Sequence, residues 1–122
     1  NKKKAANLKA SSTYYQDIAK LIDQYNAIES DVSKNKDDKK VQDKLAELKN
    51  KMDTAFTTYK NDVDKDKMDS EDKSKNKNIT KLDKDLNSAF SDIKDGYDAK
   101  DKKKIQKGQA ALSTISIKDS QS

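Results

Sequence analysis

The chain has 122 residues, the size of one ordinary domain, with 27 lysines, 22 acidic residues and a formal net charge of +5. It contains no Cys, His, Pro, Trp or Arg, which excludes disulfides, the usual zinc ligand sets, a histidine general base, a thiol nucleophile and an arginine clamp for phosphate. With 40% of residues charged, 31% hydrophobic and a mean hydropathy of -1.24, little apolar surface is on hand to offset backbone ordering, and a thin helical core is the architecture that needs least of it.

The first predicted helix covers about 5–33. Leu8, Tyr15 and Ile22 form one heptad column, Ile18, Tyr25 and Val32 a second, and Tyr14, Leu21 and Ile28 a third, a stripe wide enough to meet two neighbours. A polar connection, Ser33 to Asp38, follows, with Asp37 or Asp38 as the N-cap of a second helix over about 38–66. Its columns are Val41, Leu48 and Ala55, then Leu45, Met52 and Tyr59, flanked by Phe56 and Val63. From Asp64 to Asn78 the apolar signal fades, which reads as frayed helix and loop. A third helix is expected over about 78–112, capped by Asn78 and carrying Ile79, Leu82, Leu86, Ala89, Phe90, Ile93 and Tyr97, with Gly96 weakening it by roughly 1 kcal/mol. Ile105, Leu112 and Ile115 keep helical spacing only if the lysine-rich stretch before them is helical, either prolonging that helix or folding over its end. Residues 116–122 read as a loose tail.

The apolar spans of the three segments are matched, at roughly 36, 33 and 39 Å for 1.5 Å per residue. The expected fold is therefore all-α, an up-down-up antiparallel three-helix bundle with elongated, coiled-coil-like packing in a single domain over 1–122. Of the 22 acids, only Glu29, Glu47 and Glu71 are Glu. Asp is the poorer helix former, so these helices draw stability from packing and ion pairing more than from propensity.

Few motifs offer chemistry. Asp62, Asp64 and Asp66 resemble the first half of a calcium loop, but Lys67 and Lys73 stand where such a loop needs Gly and Glu, so a solvated loop is the better reading. Asp92, Asp95, Asp98 and Asp101 recur at three-residue spacing beside Lys94, Lys100 and Lys102, which reads as an ion-pair face and not as an acid/base pair. Asn78-Ile79-Thr80 fits a glycosylation sequon, although a helix cap is preferred. Gly96 and Gly108 make no phosphate loop. No metal, cofactor or catalytic site is expected, and no run of apolar residues is long enough to span a membrane.

Charge layout is more informative. Residues 1–9 carry Lys2, Lys3, Lys4 and Lys9 without an acid, residues 10–33 net -3, and residues 34–40 net +2 from Lys34, Lys36, Lys39 and Lys40 against two Asp. Residues 99–109 net +4 from Lys100, Lys102, Lys103, Lys104 and Lys107 against Asp101. In an up-down-up bundle the last two groups meet at one end as a candidate polyanion-binding surface, while Lys2, Lys3, Lys4 and Lys9 mark the other end as membrane-proximal. The bland counterpart is that lysines keep a thin bundle soluble.

A Lys/Asp/Asn/Ser-rich chain without Cys, opening on Asn1-Lys2-Lys3-Lys4-Ala5-Ala6-Asn7 before heptad-patterned helices, resembles the mature part of small extracytoplasmic lipoproteins of low-GC Gram-positive bacteria, of the cell-wall-binding type. The resemblance implies a non-enzymatic protein of the cell envelope, held to the membrane only by a lipid anchor on a Cys preceding Asn1, with an anionic wall polymer or an envelope protein as partner. The absence of an initiating Met fits that expectation of a mature, extracytoplasmic chain. The alternative is a basic, cytoplasmic nucleic-acid-binding accessory protein, favoured by the pI of about 9.2 and opposed by the missing arginines and scarce aromatics. Heptad columns leave the oligomeric state open.

Overall fold

The computed structural model describes residues 2–115, and within them all regular structure is helical. The elements are α1 (Lys2–Lys34), α2 (Lys39–Asp62), a short 3₁₀ turn (Lys65–Lys67), α3 (Ser70–Ala99) and α4 (Lys102–Thr114). The all-α expectation holds. Three helices do not suffice, because the segment expected as one helix over 78–112 is divided between two, a long α3 and a short α4 that folds back on it as an αα-hairpin. The tail at 116–122 lies outside the described residues.

The predicted stripes supply the core. Ile18, Val32, Leu45, Leu48, Met52, Ile79, Ala89, Ile93 and Tyr97 are wholly or almost wholly shielded from solvent, and no large hydrophobic side chain is exposed among the described residues. Each Leu or Ile so buried contributes about 1.5–3 kcal/mol, which is how so polar a chain sustains a fold. In α1 the second and third columns carry most of the burial, while Leu8 and Ile22 of the first lie half-buried at its edge. The Tyr14 ring sits at the heart of an aromatic group, with centroids 6.2 Å from Phe56, 5.8 Å from Tyr59 and 6.0 Å from Tyr15. Farther along, Tyr25 of α1 meets Phe90 of α3 edge-on at 5.3 Å.

Helix direction follows from which residues meet. The side chain of Lys44 reaches Gln24, and Tyr14 meets Tyr59, so α1 and α2 are antiparallel. Tyr59 meets Asn76 and Asp38 meets Tyr97, so α2 and α3 are antiparallel in turn. The fourth helix returns along α3 toward its start and also touches α1, where Gln109 donates to the hydroxyls of Tyr25 and Ser33.

Two local devices decide where α3 begins and ends. Asp69 forms a capping box with Asp72, each side chain accepting from the other residue's backbone N–H, so the helix starts at Ser70. The expected cap Asn78 is instead an exposed mid-helix residue, and the sequon lies along one turn of α3. At the other end Lys100 adopts the left-handed conformation, with Lys100 N–H donating to the Tyr97 carbonyl and Asp101 N–H to that of Gly96, a glycine-type stop made without glycine. Asp101 then caps α4. Helix α2 ends at Asp62 and not near 66, because Val63 turns extended and Asp64 caps the 3₁₀ turn.

The glycines explain the fold-back. A β-carbon on Gly96 would lie 2.8 Å from the Ile105 nitrogen, and one on Gly108 would lie 2.6 Å from the Ala89 carbonyl oxygen. Helices α3 and α4 therefore approach nearly backbone to backbone at two points, which a side chain would hold apart.

At the end of the molecule where α1 starts, polar groups are buried as a network. Asn7 Nδ2 donates to the Asp64 carbonyl and to Asp72 Oδ2, both at 3.3 Å, and Asn7 Oδ1 accepts from Asp64 N–H at 2.8 Å. The amide thus pairs with both backbone polar groups of Asp64, tying α1 to the α2–α3 connection. Ser11, Asp72 and Lys75 are buried beside it.

Candidate functional site

The end of the molecule opposite Asn7 gathers the two lysine-rich connections. One is the α1–α2 loop and the other the tight α3–α4 turn, and two contacts join them. Asp38 N–H donates to the Tyr97 hydroxyl at 2.8 Å, and Lys100 Nζ lies 3.4 Å from Asp37 Oδ2. Each connection opens a helix in the same way, with an aspartate cap followed by lysines. Asp38 accepts from Lys40 N–H at 2.8 Å, and Asp101 accepts from Lys104 N–H at 3.1 Å. Neither α2 nor α4 has an acid in its first turn. Lysines there add to the positive end of the helix dipole, offset by the capping carboxylates and, at the start of α2, by Asp37 as well.

Lys34, Lys36, Lys39, Lys40, Lys100, Lys102, Lys103 and Lys107 are exposed, and Lys104 is half-buried. Some of this charge is neutralised locally. Lys34 lies 3.8 Å from Asp31, Lys100 pairs with Asp37, and the acidic end of α3 keeps Asp98 bonded to Lys94 at 3.0 Å. Lys36, Lys39, Lys40, Lys102, Lys103 and Lys107 make no ion pair among the described residues. They are the charge free to meet a partner.

Lys2, Lys3 and Lys4 fall in the first turn of α1 and Lys9 is exposed two turns on, so they belong to the other end, roughly 50 Å away along a helix of 33 residues. The acidic series of α3 divides. Asp95 is exposed, Asp92 half-buried, Asp98 ion-paired and Asp101 a helix cap. Of the aspartates of 62–69, Asp64 and Asp69 serve as helix caps. No group of three or more acidic side chains is arranged to hold a metal ion among the described residues. No helix there is long and apolar enough to cross a membrane.

Open depressions mark the remaining surface of the described residues. One, of about 700 Å³, lies where α4 ends, between Tyr15, Leu82, Asp85 and Ile115. Another, of about 290 Å³, follows the α1–α2 seam along Leu21, Gln24, Ala55 and Thr58. The shifted groups lie in the core or along α2 and α3. Burial pushes the Tyr25 and Tyr59 hydroxyls up to about 12 and Tyr14 higher still, while Lys51 and Lys44 hold Glu47 below the usual carboxylate range.

No family model, curated protein or solved structure matches the chain. Its surface chemistry alone is left to speak for function. Asp38 caps α2 as its sequence position implies; what escapes a reading of the sequence is the role of Tyr97, Asp37 and Asp101 in joining and orienting the lysines. A signal was present in the repeated triplet, Asp38-Lys39-Lys40 and Asp101-Lys102-Lys103, each followed shortly by a core aliphatic, Val41 and Ile105.

Proposed function

We propose that this chain is a non-catalytic helical-bundle protein of a Gram-positive cell envelope, the soluble part of a lipoprotein, that holds an anionic wall polymer against its lysine-rich end. The observation that carries the reading is the junction of the α1–α2 loop with the α3–α4 turn, which sets the starts of two lysine-bearing helices side by side. Lysine heads are mobile point charges without the planar fork of arginine, suited to a flexible phosphodiester chain more than to a fixed phosphate geometry. The start of α1 lies at the far end, so a lipid tether ahead of Asn1 would leave these lysines facing away from the membrane.

A nucleic-acid partner is less well supported, because no large aromatic side chain is exposed among the described residues to stack on a base. Binding is tested with soluble glycerol-phosphate teichoic acid. Affinity is expected to fall steeply with added salt, and to drop at least tenfold when Lys39, Lys40, Lys102 and Lys103 are changed together to Gln. Unchanged binding by that variant, or a clear preference for DNA at equal charge, would overturn the reading.

A further inference from the structure

Three residues other than glycine adopt a positive φ among the described residues, Asn35 at 51°, Asp37 at 57° and Lys100 at 58°, and all belong to the two connections at the lysine-rich end. This region costs an L-residue about 1–2 kcal/mol, and lysine, unlike Asn and Asp, has no short polar side chain to ease it. Such conformations persist where the surroundings over-determine them.

Here the surroundings converge on Tyr97. Its side chain is fully buried. Its hydroxyl accepts from the N–H of Asp38, the cap of α2, directly before Lys39 and Lys40. Its carbonyl accepts from Lys100 N–H at 3.2 Å, one residue before Asp101, the cap of α4, which precedes Lys102 and Lys103. One residue therefore bonds to the start of one lysine-bearing helix and to the approach of the other. The Lys100–Asp37 pair spans the same gap, but its side chains are 62% and 45% exposed, so it holds little by itself. Without the hydroxyl, the half-buried N–H of Asp38 loses the acceptor that fixes the loop against α3.

We propose that Tyr97 is a positioning residue of the polyanion surface, setting the start of α2 against the start of α4 so that their lysines engage a single polymer segment together. The inference rests on the polymer-binding reading above. Two groups held in register act on one chain at high effective concentration, and each neutralised phosphate adds to the salt dependence.

The test compares Tyr97→Phe with Tyr59→Phe. The latter removes a hydroxyl that donates to Asn76 at 2.8 Å, toward the other end of the molecule, and serves as the control for lost stability. Neither substitution changes charge. Amide exchange at Asp38 and binding of soluble glycerol-phosphate teichoic acid across a salt series are measured for both. For Tyr97→Phe we expect faster exchange at Asp38, about five- to tenfold weaker binding at low salt and a smaller salt slope, by about the contribution of two lysines. Tyr59→Phe should alter none of these. Unchanged Asp38 exchange, or equal affinity and slope for Tyr97→Phe and a wild type that binds, overturns the positioning role alone. A wild type that does not bind the polymer overturns the polymer reading and this role with it.

Discussion

The backbone of Gly108 lies so close to Ala89 that a β-carbon there would stand 2.6 Å from the Ala89 carbonyl oxygen and 2.7 Å from Ile93 Cγ1. Alanine is the better helix former by about 1 kcal/mol, so on an isolated α4 Gly108→Ala would stabilise. In the folded chain it must push two backbones apart, and overpacking of this kind costs about 1–3 kcal/mol. The expected result is a lower denaturation midpoint, with amide exchange accelerated in α4 before α1 or α2. A stabilised variant would show that α4 does not rest on α3 at this point.

Tyr14 presents the opposite case. Its ring is packed among Phe56, Tyr59 and Tyr15, yet its buried hydroxyl has no hydrogen-bond partner among the described residues. Tyr14→Phe keeps the ring contacts and removes an unsatisfied polar group. We expect a gain of about 1 kcal/mol, read from urea unfolding.

Burial, reinforced by Asp53 on α2, holds the Asp83 carboxyl above the usual aspartate range, against the opposing pull of Lys60 and a hydrogen bond from Asn87. A raised acid is one whose charged form the fold penalises. That penalty is absent below the unfolded value, near about 4, and develops as pH rises through the folded one. Asp83→Asn should therefore raise the melting temperature slightly at pH 7 and leave it unchanged at pH 3. An equal effect at both values would assign the change to packing.

Asn7 is buried and bonds both the backbone N–H and the carbonyl of Asp64. Asn7→Ala removes the acceptor of Asp64 N–H and one of the two donors to Asp72 Oδ2, for an expected loss of about 1–3 kcal/mol. Asn7→Asp keeps the acceptor but sets a second carboxylate against Asp72. Its deficit should grow between pH 4 and pH 7, which parallel unfolding titrations would detect.

Lys100 occupies a helix C-terminal position that glycine ordinarily fills, at φ 58°. Lys100→Gly relieves about 1–2 kcal/mol of backbone strain, part of which the added freedom of the unfolded chain returns. A net stabilisation of about 0.5–1 kcal/mol is expected by chemical denaturation.

The apolar stripes were legible because burial obeys helical periodicity. Ile18, Tyr25 and Val32 point inward for the reason their spacing implies, and so do Leu45, Met52 and Tyr59. The break at residue 100 was not legible, since it depends on a lysine in a glycine-like conformation and no proline or glycine marks it. The glycine at 96 looked like a weak point in a helix, whereas its meaning lies in Ile105, nine residues on and across a helix pair. The early start of α3 was hidden for a related reason. Its first turns bury Asp72 and Lys75, and Asp72 is held inside by Asn7 of α1 and Asp69 of the α2–α3 connection. The lysines of the candidate surface could be named from sequence, but not the tyrosine hydroxyl that joins their two groups.

The Asn7 network and the lysine-rich junction stand at opposite ends of the helices. A load carried between those ends runs lengthwise along α1, α2 and α3. It strains the interhelical contacts in shear, all along their length at once, instead of peeling them apart one by one. A chain held at its start and gripped at its far end would thus meet tension along its helix axes, with Asn7 bracing the helix through which the pull enters.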